Sequence, residues 1–294
     1  MAIILGLIVA LTYGSGDFFG GQATKKSPAS AVVIGSFCIS TICLIVATAA
    51  WAVAGDLPHP AGKDLVLGAA TGFIGPISLG LLYRGLATGR MSVVAPTTAV
   101  VAAIVPFVWG IASGERPGPI AVAGAAVALV AVALISGAPA HEDMPAPAHP
   151  VSGVIPGALA SGFGFGVIFI MLGSTSADAG LWPLLVARPL AIAASIAAIT
   201  LVSRPHQTPI GPALVPVRDS WSLVAGAGIL DVTANATYIA ATQRGLLSIV
   251  AVLSSLYPAA TVLLARVVLH ERLHRVQVLG LVLAAAGIVA MTAT

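Results

Sequence analysis

Apolar residues fill long stretches of this 294-residue chain, and polar residues collect in the short segments between them. A membrane-spanning helix needs about 20 consecutive, mostly apolar residues. The stretches lack the alternation of apolar and polar positions that indicates the strands of a membrane β-barrel. The pattern therefore predicts ten helical spans, at roughly residues 2–21, 29–53, 64–86, 91–112, 118–137, 153–173, 180–202, 220–242, 246–269 and 274–293.

The composition places these spans in a membrane protein. Hydrophobic residues make up 58% of the chain and charged residues only 8%, whereas a soluble domain has roughly 25% charged residues. So few charges cannot cover a soluble surface, which excludes a cytosolic enzyme, a secreted domain and a nucleic-acid-binding protein. We therefore expect a multi-pass protein of the cell (plasma or inner) membrane, whose first apolar stretch, from Met1, is a retained span rather than a cleaved signal.

Sequence motifs for catalysis, metal binding or nucleotide binding do not occur. Cys38 and Cys43 lie in one apolar stretch without further ligands nearby, so we expect them to pack rather than to bind a metal. The chain has no lysine after a phosphate-binding glycine loop, no HExxH and no GxSxG. The sequence predicts no enzymatic activity, no metal and no cofactor.

The two halves of the chain resemble each other. Residues 92–138 align without a gap with residues 248–294, and the matched pairs include Glu115-Arg116 with Glu271-Arg272 and Gly124 with Gly280. The predicted unit is five helices, in residues 1–138 and again in residues 153–294, joined by a Pro-rich connector at 139–152. Because five is odd, the second unit enters the membrane in the opposite orientation. Such inverted repeats are typical of carriers that work by alternating access.

The chain resembles the EamA-type ten-span carriers of the drug/metabolite transporter superfamily over essentially its full length. The resemblance rests on matching segments of both halves: Tyr83-Arg84-Gly85-Leu86-Ala87, Val93-Val94-Ala95-Pro96, Gly114-Glu115-Arg116, Gly124, Ser248 to Ala251, Tyr257-Pro258, His270-Glu271-Arg272 and Gly280. It implies transport of small organic solutes, commonly amino acids and other metabolites, often outward. One departure is Leu256-Tyr257-Pro258, where family members often have Glu-Pro, so a carboxylate is missing there.

Three ionisable residues lie within predicted spans: Asp231, Arg188 and Asp17. An ionisable side chain at the centre of a bilayer costs roughly 2.5–3.5 kcal/mol on insertion scales. One interpretation is a site near the midplane, where Arg188 holds a carboxylate or pairs with Asp231 and an aspartate takes up a proton for coupling. The other interpretation is a structural ion pair that locks neighbouring helices.

Four further residues are candidates for the lining of such a site. Asn235 and Tyr238 follow Asp231 by one and two helical turns, so all three share a face. Ser78 and Tyr257 add hydroxyl groups within spans. For a serine alone, a hydrogen bond between helices or to the backbone is the alternative. The Glu-Arg dipeptides at span ends are interpreted as helix-end anchors, with gate ion pairs as the alternative.

The orientation of the protein stays open. Loops on one side hold nine basic residues: Lys25, Lys26, Arg84, Arg90, Arg204, Arg218, Arg266, Arg272 and Arg275. The alternate loops hold three: Lys63, Arg116 and Arg244. The positive-inside rule then places both termini outside, whereas the family resemblance implies termini inside.

These observations predict a secondary transporter that moves a small organic solute, a metabolite or an amino-acid-like compound, by alternating access. We expect efflux with proton coupling. An uncoupled facilitator and a non-transport membrane scaffold or partner subunit are the alternatives. The expected partners are the solute and the lipid bilayer, not nucleic acid. The sequence determines neither the solute nor the oligomeric state.

Overall fold

The computed structural model describes residues 1–55, 58–88, 91–137, 151–203, 211–270 and 273–292. Residues 139–150 of the predicted connector lie outside these ranges, and so do Arg90, Arg204 and Glu271-Arg272. Twelve helices form this part of the chain: α1 (Ala2–Thr24), α2 (Ala29–Ala54), α3 (Gly62–Thr88), α4 (Met91–Ala112), α5 (Pro119–Ser136), α6 (Val151–Gly173), α7 (Trp182–Ser203), α8 (Gly211–Leu214), α9 (Trp221–Thr242), α10 (Leu247–Ser254), α11 (Tyr257–Val268) and α12 (Arg275–Thr292). Short 3-10 turns precede α7 and α9.

Within the described ranges, nine helical segments are long and apolar enough to cross a membrane. The apolar part of α4, Thr97–Ala112, is shorter. The sequence prediction of an all-helical membrane protein is confirmed.

The ninth span, predicted as one stretch, divides into two helices. α10 ends at Ser254 and α11 begins at Tyr257, with Pro258 in the first turn of α11. A proline has no N–H group to donate, and its ring collides with the carbonyl four residues earlier, here that of Ser254. It is tolerated at the start of a helix because the N–H groups there have no partner within the helix. The proline therefore accounts for the break.

The helices pack in a pattern that repeats when the two halves are exchanged. The contact of α1 with α9 corresponds to the contact of α6 with α3. The contact of α3 with α7 corresponds to the contact of α9 with α2. In the same way, α4 packs on α6, and α10 and α11 pack on α1, while α5 lies along α12. In each case the partner comes from the other half, so the two five-helix units interlock instead of forming separate bundles.

Glycines allow the helices that carry the polar residues to approach closely. A Cβ atom at Gly14 of α1 would lie 2.3 Å from the carbonyl oxygen of Tyr257 in α11. A Cβ atom at Gly228 of α9 would lie 2.5 Å from the carbonyl oxygen of Ser36 in α2. Small residues of this kind let helix backbones meet in a membrane. They bring α1 against α11 and α9 against α2.

Candidate functional site

The two charged residues predicted near the middle of spans seven and eight form an ion pair. Nη2 of Arg188 in α7 lies 2.5 Å from Oδ2 of Asp231 in α9. The side chain of Arg188 is 11% exposed and that of Asp231 is 31% exposed. The sequence left two partners open for Arg188, a carboxylate of the solute or Asp231. In the structure, Arg188 pairs with Asp231.

Asp231 receives further polar contacts from two helices. Oγ of Ser40 in α2 lies 3.3 Å from Oδ2 of Asp231, and 2.8 Å from the carbonyl oxygen of Gly228. Nδ2 of Asn235 lies 3.2 Å from Oδ1 of Asp231 and donates to its backbone carbonyl at 2.8 Å. A partly buried carboxylate is stable only with such partners. The structure therefore places Asn235 and Ser40 beside Asp231. The spacing in the sequence had indicated Asn235 but not Ser40, and a role of Asn235 in binding stays a prediction.

The guanidinium of Arg188 is also held by an aromatic ring. Its Cζ atom lies 5.2 Å from the centre of the Phe37 ring in α2, which is a cation–π distance. Its Nε atom is buried and has no hydrogen-bond partner among the described residues. Phe37 and Ser40 were not singled out from the sequence, because neither an apolar ring nor a serine is unusual in a span.

Asp17 lies next to this pair but outside its hydrogen-bond network. A Cβ atom at Gly16 would lie 3.8 Å from the backbone nitrogen of Asp231, so α1 and α9 touch at this level. Asp17 interacts electrostatically with Asp231. Its side chain is exposed, although Gly16 and Phe18 on either side are buried. Within the described ranges, Asp17 has no ion pair and accepts no hydrogen bond. We call Asp17, Arg188 and Asp231 the charged site.

Aromatic rings line one side of the charged site. Tyr13 lies one helical turn before Asp17 and on the same face of α1. Its ring centre lies 6.5 Å from that of Tyr257, edge to face, and 6.2 Å from that of Phe169 in α6. Tyr257 interacts electrostatically with Asp17. The structure therefore brings Tyr257 to the site and adds Tyr13, which the sequence did not indicate.

Tyr238 and Ser78 lie in packed surroundings. The Tyr238 ring is fully buried, 4.8 Å from that of Phe169, and its hydroxyl has no partner among the described residues. A solute reaches it only after a change in packing. Ser78 lies where α3 meets α6: its backbone carbonyl accepts a hydrogen bond of 2.7 Å from Ser161. Ser78 therefore lies at a contact between helices, but this hydrogen bond uses its backbone carbonyl and not the hydroxyl group that the sequence offered as a site group.

Further polar contacts between the repeats lie at the ends of the helices. We call the side of the membrane where α1 begins the N-terminal face, and the other side the opposite face. At the N-terminal face, Oε1 of Glu115 accepts from the backbone N–H of Leu247 at 2.6 Å, and Oε2 accepts from that of Ser248 at 2.9 Å. A carboxylate suits this place because the N-terminus of a helix carries partial positive charge. Arg116 is exposed and donates to the backbone oxygen of Glu115. Glu115 thus anchors the first turn of α10, and it is not part of a gate ion pair with Arg116.

A second acidic residue joins the two repeats at the N-terminal face. Asp64, at the start of α3, is buried and accepts from the N–H of Ser176 at 2.9 Å and from its hydroxyl at 2.7 Å. Ser176 belongs to the loop between α6 and α7. At the opposite face, the equivalent contact is neutral: Ser220, before α9, bonds to Ser27 in the loop between α1 and α2 at 2.8 Å. The two faces are therefore held by different chemistry.

Comparison with known proteins agrees with this architecture. The sequence model of the EamA-like transporter family matches residues 1–137 and 152–293. A crystal structure superposes with a TM-score of 0.74 at 20% identity, covering 99% of this chain and 96% of that chain, which shows a common fold. A search of curated proteins finds no match. Ten spans in two inverted five-helix repeats, the fold predicted from the sequence, are confirmed. The predicted repeat boundaries at 138 and 153 stay a prediction.

Proposed function

Because the chain belongs to the EamA-like transporter family, we propose that it is a secondary transporter that moves a small organic solute across the cell membrane by alternating access. Membership makes it a multi-pass membrane transporter. The solute, its direction and its coupling are the proposed part. The observation that carries the proposal is the charged site, where Arg188 and Asp231 of the second repeat meet Asp17 of the first.

The position of this site supports transport. Carriers with inverted repeats bind their solutes near the bilayer midplane, where the repeats meet. Asp17 lies in the half of α1 that is nearer the opposite face, and its exposure supports access to the site from that face. Glu115 and Asp64 join the repeats at the N-terminal face. We propose that these contacts break when the carrier opens toward the N-terminal face.

Proton coupling is proposed from the two carboxylates. Asp17 and Asp231 lie close enough to interact, so a proton on either changes the charge that the solute meets. The alternative is a facilitator without a coupling ion. Uphill accumulation separates them: a pH gradient across liposomes drives accumulation by a coupled carrier and leaves a facilitator at equal concentrations on both sides.

A membrane scaffold or partner subunit is the alternative from a different functional class. The exposed Asp17 argues against it. A charge within a span destabilises the protein, and such residues persist where a transport pathway needs them. Efflux from the cell and a plasma or inner membrane location are proposed from the family resemblance.

The test compares the metabolites in the medium of cells with and without the protein, followed by transport of the identified solute in proteoliposomes. We expect Asp231→Asn to abolish transport, and Asp178→Asn to leave it unchanged. Asp178 is an exposed aspartate before α7, so it controls for the loss of a carboxylate elsewhere in the chain. If purified protein moves no solute that the cells export, the scaffold is the better description. If Asp231→Asn transports normally, the charged site is not the solute site.

A further inference from the structure

We infer that the solute is an organic cation, an ammonium group on an apolar or aromatic body, whose charge is bound by Asp17 beside Tyr13 and Tyr257. This inference rests on the proposed transport function and names the substrate class of the same site. Unlike an amino-acid-like solute, such a cation needs no carboxylate.

Arg188 is not available to an anion. Its Nη2 atom pairs with Asp231 at 2.5 Å, and its guanidinium lies over Phe37 at 5.2 Å. The Nε atom, although it lacks an acceptor among the described residues, is buried away from any solute. The residue as a whole is only 9% exposed. A solute carboxylate would have to break the pair with Asp231 and leave that aspartate without its cation.

The charges of Asp17, Arg188 and Asp231 do not cancel. When both carboxylates are ionised, the pairing of Arg188 with Asp231 leaves the charge of Asp17 uncompensated. A negative site surrounded by low-dielectric material attracts cations and repels anions over several ångströms. In that charge state, the net negative charge of the charged site lies on the exposed Asp17.

Two aromatic rings lie near Asp17. Tyr13 is one turn from Asp17 and Tyr257 interacts with Asp17, and both rings are partly exposed. Their centres lie 6.5 Å apart, edge to face. The face of an aromatic ring attracts a cation within about 6 Å of its centre, and aromatic walls are a common means of binding quaternary ammonium groups. A carboxylate and two rings recognise an ammonium group and the apolar body that carries it, without a second charged group on the solute.

The test measures binding of phenyltrimethylammonium to the full-length protein in detergent by equilibrium dialysis. This cation keeps its charge at every pH. Benzenesulfonate and phenylalanine serve as an anion and a zwitterion of similar size. We expect saturable binding of the cation, and binding of the other two that is at least about tenfold weaker. Tighter binding of benzenesulfonate or phenylalanine, or no binding of the cation, overturns the inference.

Variants locate the binding in the site. Asp17→Asn is expected to raise the Kd for the cation at least about tenfold, and Asp17→Glu to keep it within about threefold. Tyr13→Leu is expected to weaken binding and Tyr13→Phe to preserve it, because the ring and not the hydroxyl makes the contact. Asp178→Asn is the matched control, and melting temperatures report whether each variant is folded. If folded Asp17→Asn binds the cation like the wild type, Asp17 is not its site.

Transport separates this inference from the proposed function. Uptake of the cation into proteoliposomes supports both. Transport of phenylalanine or benzenesulfonate without the cation supports the transporter and overturns the cation. Binding of the cation at Asp17 without transport of any solute supports the cation site and overturns the transporter.

Discussion

The carboxylate of Glu115 in the first repeat caps the helix that begins at Leu247 in the second, with Oε1 2.6 Å from the Leu247 nitrogen. The same carboxylate reaches Ser248 through its other oxygen. α10 is the first half of a broken span. This contact gives an acceptor to two backbone N–H groups at its N-terminus, which have no partner within the helix. The contact joins the two repeats at the N-terminal face.

Glu115→Gln is expected to destabilise the protein by about 1 kcal/mol, because the amide keeps one acceptor but loses the charge that the helix N-terminus favours. Thermal unfolding in detergent measures the effect as a lower melting temperature. The control is Arg116→Gln, next to it and exposed, which we expect to leave the melting temperature unchanged. Equal effects of both substitutions would mean that capping of α10 does not explain the role of Glu115.

The ion pair of Arg188 and Asp231 can be tested for a structural or a transport role. Asp231→Leu alone leaves Arg188 buried without a partner and is expected to destabilise the protein by about 3 kcal/mol. The double variant Arg188→Met/Asp231→Leu removes both charges, and it should regain most of this stability. If the site serves transport, the stable double variant still moves no solute. Full transport by the double variant would make the pair a lock between α7 and α9.

Asp17 and Asp64 are expected to respond differently when each is replaced by asparagine. Asp64 is buried and accepts three hydrogen bonds, two from Ser176 and one of 3.0 Å from the N–H of Ala61. Asp64→Asn should lower the melting temperature, since these bonds are made to a charged acceptor and are worth about 1.5–3 kcal/mol each. Asp17→Asn should leave it equal or raise it, because Asp17 is a charge in a span without an ion pair in the described structure. A large loss of stability in Asp17→Asn would show that Asp17 has a structural partner.

The close approach of α1 and α11 depends on Gly14. Gly14→Ala places a methyl group 2.3 Å from the Tyr257 oxygen and 2.6 Å from the Ala260 Cβ. Separating the helices is expected to cost about 1–3 kcal/mol, and to impair transport because Tyr257 moves away from Asp17. Gly21→Ala, in the same helix with open space around it, is the control, and better helix propensity should make it neutral or slightly stabilising. The two melting temperatures decide whether packing or helix propensity governs α1.

Several features of this protein follow from local sequence. The lengths of the apolar stretches predict the spans, because the thickness of the bilayer sets the length of each helix. The matching Glu-Arg dipeptides and Gly124 with Gly280 predict the duplication, and an odd number of helices makes it inverted. Arg188, Asp231 and Asp17 stand out because a charge in a span is costly wherever it lies.

Other features depend on the tertiary structure. Ser40 and Phe37 reach the charged site because α2 packs against α7 and α9, and nothing in their own surroundings in sequence marks them. The hydrogen-bond partners of the Glu115 carboxylate are two backbone N–H groups, which have no sequence signature. Periodicity places Tyr238 on the face of Asp231, but only the packing of Phe169 against it decides that it is buried. Local sequence determines which residues are costly in lipid, since each residue carries that cost wherever it lies in a span. Their partners are set by how glycines such as Gly14 and Gly228 let distant helices meet, and only the folded chain decides that.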